Sequence, residues 1–117
     1  MSDTWPRNIF PQRLKEARHA AGLTQEALGI AAGFDEAVAR MRVNKYERGA
    51  REPDTQTAAA MAKALGVPLA SLYADSPTMA QLIQAAAKLS AREQKKLAEE
   101  LLARTQTQPK ARKKPTG

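Results

Sequence analysis

The chain has 117 residues, 43% of them hydrophobic and 4% aromatic, with 19 Lys+Arg against 12 Asp+Glu for a net charge of +7. That length fits one domain with a short appendage, and no stretch holds the ~20 continuous apolar residues of a membrane span. Zero cysteines and one histidine exclude a disulfide framework, a thiolate or multi-histidine metal site and cysteine catalysis, and so few aromatics leave little for a base-stacking platform.

Proline and glycine punctuate the sequence, and no stretch alternates apolar and polar residues as a half-buried strand does, so an all-α chain is expected. A first helix is expected from about Pro11 to Ala21, with Leu14, Ala17 and Ala21 facing inward. Thr24 reads as the N-cap of a second helix over Gln25 to Ala32, stopped by Gly33. Asp35 reads as the N-cap of a third, continuing to Glu47 or Arg48. Asp54 caps a fourth that runs to Leu65 before Gly66, and a short fifth follows Pro68 through Tyr73. Ser76-Pro77 starts a sixth, ending near Leu89. Ser90-Ala91-Arg92-Glu93 is a capping box, so Ser90 opens a seventh that extends to about Arg104. From Thr105 onward the chain is polar, basic and proline-containing, a composition expected to be disordered. The expected organisation is a compact five-helix unit over 9–74, a helical hairpin over 77–104 and a disordered basic tail over 105–117.

The charge is concentrated in two places. Arg40, Arg42, Lys45, Arg48 and Arg51 stand against one acid, Glu47, and the tail adds Lys110, Arg112, Lys113 and Lys114 with no acid after Arg104. Two basic clusters on a small chain fit a polyanionic partner or, equally, a solvated basic surface. Met1 to Pro6 show neither the basic start nor the apolar run of a secretory signal, so a cytoplasmic location is expected.

The most specific stretch is Leu23-Thr24-Gln25-Glu26-Ala27-Leu28-Gly29, then Ala32-Gly33-Phe34 and Tyr46-Glu47-Arg48-Gly49. Gly33 supplies the positive φ of a sharp turn between two helices. Gly29 lies mid-helix, where glycine costs ~1 kcal/mol against alanine, and makes sense if another helix crosses very close. Helix-turn-helix DNA readers need this arrangement; an ordinary αα-corner would also use it. Residues 12–74 resemble the XRE-type helix-turn-helix domain of the lambda repressor and Cro kind. The matching pieces are Arg13-Leu14-Lys15-Glu16-Ala17-Arg18, Gly22-Leu23-Thr24-Gln25-Glu26, Ala32-Gly33, Tyr46-Glu47-Arg48-Gly49, Arg51-Glu52-Pro53 and Ala62-Lys63-Ala64-Leu65-Gly66-Val67. There are two departures. Gly29 stands where the family usually has alanine, and 11 residues separate Phe34 from Tyr46, about one helical turn more than the usual spacing.

The resemblance implies a lambda repressor-like five-helix fold whose third helix enters the major groove. With Val43 placed inward at 100° per residue, Ala39, Tyr46 and Glu47 share its side, and Val38, Met41, Lys45 and Arg48 lie opposite, flanked by Arg42 and Asn44. Arg42, Asn44 and Lys45 suit base acceptors and Met41 suits a thymine methyl; Val38 and Met41 would equally pack into a core if the helix were broken. Gln25 matches a family position that touches phosphate and braces the third helix. Arg40, Arg48 and Arg51 are candidates for phosphate, with plain solvation as the other reading of Arg48 and Arg51. Arg18 and Glu47 match an internal ion pair of the family.

The hairpin spaces Met79, Leu82, Ile83 and Ala86, then Leu97, Leu101 and Leu102, at helical intervals, as a dimerisation element or as a lid on its own domain. No paired-carboxylate cleft, activated nucleophile or phosphate-cradling glycine loop is visible, so no enzyme, catalytic residue, metal or cofactor is expected. The expectation is a sequence-specific regulator, a repressor binding double-stranded DNA as a homodimer and no membrane. The alternative is an antitoxin or adaptor that uses the fold chiefly to hold a partner protein.

Overall fold

The computed structural model describes residues 9–106. Among these residues all regular structure is helical, in the order α1 (Ile9–Ala21), α2 (Gln25–Ala31), α3 (Ala39–Glu47), α4 (Thr55–Leu65), a 3-10 turn (Leu69–Tyr73), α5 (Pro77–Ala87) and α6 (Ala91–Gln106). The chain divides into two compact units at Gln84 and Ala85. No described helix is long and apolar enough to cross a membrane. The basic tail expected over 105–117 begins inside α6 at Thr105 and Gln106, and from residue 107 onward it lies outside the described residues.

In the first unit, short polar side chains set where helices begin. The Thr24 hydroxyl accepts from the Ala27 N–H at 3.0 Å and the Asp54 carboxylate from the Thr57 N–H at 2.8 Å, each satisfying a donor that the first turn of a helix leaves without a partner. Gly33, at φ +92°, turns the chain after α2. Leu14 and Ala17 from α1, Leu28 from α2, Val43 and Tyr46 from α3, Met61, Ala62 and Leu65 from α4, and Leu72 from the 3-10 turn meet in one core. Each fully buried aliphatic side chain contributes about 1.5–3 kcal/mol.

Three features differ from the sequence reading. α1 starts two residues earlier, at Ile9, because Pro11 still lies within the first turn, where its missing N–H has no bond to lose. Ala21, expected to face inward, is exposed: it is the last residue of α1, and the chain turns away at Gly22, φ +72°. The buried face of α1 carries Arg13 and Arg18 instead. The Arg13 guanidinium reaches Gln12 Oε1 at 3.2 Å and Glu16 at 3.4 Å.

The third difference concerns the site. Asp35 does not open α3. Its carboxylate accepts from the Ala37 N–H at 3.0 Å and its carbonyl from the Val38 N–H at 3.0 Å, which closes a local turn. An Asp side chain that bonds its own backbone two residues on competes with helix formation. Residues 35–38 therefore belong to the interhelical turn, and α3 runs nine residues from Ala39.

The second unit holds the end of α5 and all of α6. Ser90 and Glu93 exchange hydrogen bonds, Ser90 N–H to Glu93 Oε1 at 3.0 Å and Glu93 N–H to Ser90 Oγ at 3.1 Å, which is the capping box read from the sequence. Gln94 Nε2 donates to the Ala86 carbonyl at 2.8 Å across the turn. No residue of α6 is buried, and Leu101 and Leu102 are exposed.

Candidate nucleic-acid interface

α3 is held from below by α2. Gly29 lies against Ala39, the first residue of α3, and a Cβ built on Gly29 would sit 2.7 Å from the Ala39 Cβ and 2.9 Å from its carbonyl oxygen. Only a residue without a side chain permits this crossing. Ala39 and Val43 are fully buried and Tyr46 nearly so, so one side of α3 is committed to the core and the other side is left outward.

Glu47 anchors the end of the helix. Its side chain is 3% exposed and receives Arg18 Nε at 2.6 Å and Nη2 at 3.1 Å, a two-point ion pair between α1 and α3. Gln25 Nε2 donates to the same carboxylate at 3.0 Å, and Arg18 Nη1 donates to the Leu23 carbonyl at 2.9 Å. Arg18, Gln25 and Glu47 thus tie three helices at one point. His19 Nε2 lies 3.2 Å from Arg18 at the edge of this cluster.

The basic residues in and just after α3 differ in their surroundings. Arg40, Arg48 and Arg51 are exposed. Lys45 is half-buried and lines a shallow cleft of about 220 Å³ with Val38, Met41, Arg42, Tyr46 and Arg51. Met41 is 51% exposed, so this side chain faces solvent and not the core. Arg42 is occupied within the protein: its guanidinium carbon stacks 4.0 Å from the centre of the Phe34 ring and its Nη2 donates to the Tyr46 hydroxyl at 2.9 Å. Phe34 meets the Tyr46 ring edge-on at 6.3 Å. Asn44 is also engaged, its Oδ1 accepting from Arg48 Nε at 2.7 Å.

The structure therefore brings Met41, Arg42, Lys45 and Arg51 to one cleft, pairs Asn44 with Arg48, and bonds Gln25 to Glu47. Sequence reasoning overlooked Phe34, whose ring holds Arg42; an aromatic directly after the turn glycine was the available signal. The Asp54 carboxyl is held below its ordinary range chiefly by the Thr57 backbone N–H and then by the Thr57 side chain, against a lesser opposing effect of desolvation, with the positive charge of Arg42 contributing least.

A helix-turn-helix family model matches residues 14–72. The chain belongs to the XRE-type helix-turn-helix family. The crystal structure of the transcriptional regulator BswR is similar to this chain at 36% identity and a TM-score of 0.70, covering 80% of this chain and 92% of that one. No curated protein sequence matches. In this helix-turn-helix domain α2 packs against the start of α3 through Gly29, and α3 begins at Ala39 after the turn that follows Phe34.

Proposed function

We propose that this chain is a non-enzymatic, DNA-binding transcription regulator that lays α3 in the major groove of duplex DNA and represses by occupying its site. Membership of the helix-turn-helix family and likeness to a protein named a transcriptional regulator support the first part. The observation that carries the second is the outward side of α3, where Met41 and Lys45 share a cleft with Arg51 of the following loop, on a helix whose inner face is locked to the core, with Arg40 and Arg48 exposed nearby in the chain. A rod of about 10–12 Å diameter with its side chains fits a major groove of ~12 Å. Lys45 and Met41 reach base edges in this reading, and Arg40, Arg48 and Arg51 neutralise phosphates. Arg42 and Asn44 hold the face in shape in the free protein and turn to bases only by exchanging their present partners. Repression needs nothing beyond occupancy of the site.

Leu101 and Leu102 on α6, with Leu97 half-buried beside them, support a homodimer, because a leucine stripe without a buried residue gains by meeting a second copy. Two copies then place two α3 helices on half-sites one DNA turn apart. Selection of bound sites from random duplexes, with stoichiometry and salt dependence measured, tests the proposal. A pseudo-palindromic site is expected, and a dimer making 6–10 phosphate contacts loses about 10³–10⁵ in affinity between 50 and 200 mM salt. Binding independent of salt, or without sequence preference, rejects the reading. A monomer on DNA that instead captures a different protein through the α6 leucines supports the adaptor reading.

A further inference from the structure

The cleft on α3 has an unusual composition for a basic surface. Its lining combines the apolar side chains of Val38 and Met41, the latter 51% exposed, with the half-buried Lys45 and the exposed Arg51. Arg42 contributes its carbon stem, because its guanidinium is turned onto Phe34 and Tyr46. At about 220 Å³ the cleft is below the ~300–1,000 Å³ of small-molecule sites. An exposed methionine in water gains nothing for the fold. Beside DNA it has one apolar group to meet: the only carbon substituent on the major-groove edge of any base pair is the 5-methyl of a pyrimidine.

Met41 and Lys45 are one helical turn apart on the same side of α3, so their tips track along the groove by about 6 Å. That is roughly one to two base steps at about 3.4 Å each. The lysine ammonium donates to the O6 and N7 acceptors of guanine. We infer that Val38 and Met41 receive the 5-methyl group of a pyrimidine, with Lys45 on a guanine one or two steps away, so that the protein distinguishes methylated from unmethylated pyrimidine at that position. The inference rests on the proposed major-groove reading of α3. Two sources supply the same methyl group, thymine and 5-methylcytosine. Both present it at the same place in the groove, and only the exocyclic group beside it differs.

The test uses the full chain and the duplex obtained by site selection. Each thymine of a half-site is replaced singly by deoxyuridine, which deletes one methyl and keeps every hydrogen-bonding group, and each cytosine singly by 5-methylcytosine. Removal of one buried methyl is expected to weaken binding about four-fold at one thymine position. If the cleft meets a cytosine in the selected site, 5-methylcytosine at one position strengthens binding by a similar factor, which supports the inference and names that source. Met41→Ala and Met41→Gln, at an exposed position, should abolish the difference between the paired duplexes and leave the salt slope unchanged. Salt-dependent, sequence-specific binding with no methyl-sensitive position overturns this inference alone. So does a methyl effect that persists in both Met41 variants. Absence of duplex binding overturns the major-groove reading beneath it as well.

Discussion

Replacing Gly29 by alanine sets two known effects against each other. Alanine in a helix interior is favoured over glycine by about 1 kcal/mol, so at an open position the substitution would stabilise α2. Here the added Cβ meets Ala39 Cβ at 2.7 Å, Ala39 O at 2.9 Å and Ala39 Cα at 3.0 Å. Carbon atoms rest at about 3.5–4.0 Å, so α3 must recede by nearly 1 Å. Two of the three neighbours are backbone of a fully buried residue, and no side-chain rotation relieves them. Overpacking of this kind costs about 1–3 kcal/mol, and backbone involvement puts Gly29→Ala in the upper half of that range. The net expectation is a loss of about 1–2 kcal/mol, which for a domain of this size lowers Tm by roughly 5–15 °C. Thermal unfolding followed by circular dichroism reads this directly, with Gly33→Ala as a comparison. Gly33 has φ +92° and no atom within 4 Å of its missing Cβ, so its cost is backbone strain and the α2–α3 spacing is untouched. A Gly29→Ala protein as stable as the parent, or more so, would refute the close-crossing argument.

Glu47→Ala strips the carboxylate from a buried Arg18 and from Gln25; breaking such a pair costs about 3–5 kcal/mol, most of the stability of a small domain, so urea unfolding should find little folded protein, and an unchanged midpoint would count against the pair. Asp54 has a depressed folded pKa, so its capping contribution is complete above the ordinary aspartate value and fades as pH falls through the lower folded value; Asp54→Asn should flatten that part of the acid limb in Tm measured from about pH 6 down to pH 2, and an identical acid limb would dismiss the assignment. Lys45→Ala should relax preference at one position of the selected site by about 1–3 kcal/mol with the fold intact, seen by binding to a randomised-site library; unchanged selectivity removes Lys45 from the base-reading set. Arg51→Ala should weaken all duplexes alike and lower the magnitude of the salt slope by about one, whereas a change confined to one sequence would make Arg51 a base reader.

Much of the domain was legible in local chemistry. Thr24, Asp54 and the Ser90/Glu93 box cap the helices they were read to cap, because a cap needs only a side-chain oxygen within three residues of a free N–H. Gly29 likewise announced a close neighbour by being costly where it stands. Asp35 misled for a related reason: the same side-chain oxygen that caps a helix also closes a two-residue turn, and composition alone does not choose between them.

Residue order alone established that this chain is helical, where most helices begin and end, and which side of the Val43 segment points to the core, since periodicity and capping act within a few residues. The partners of the long cationic side chains were settled only by the folded arrangement. Arg42 and Lys45 both line the cleft, but the Arg42 guanidinium lies on Phe34 and Tyr46 while Lys45 has no such contact with either ring, although both are basic, three residues apart in one helix and alike in sequence terms. The physical reason is that a planar guanidinium finds its lowest energy where a ring and a hydroxyl converge, and that convergence exists only after the turn 35–38 has brought Phe34 back over α3.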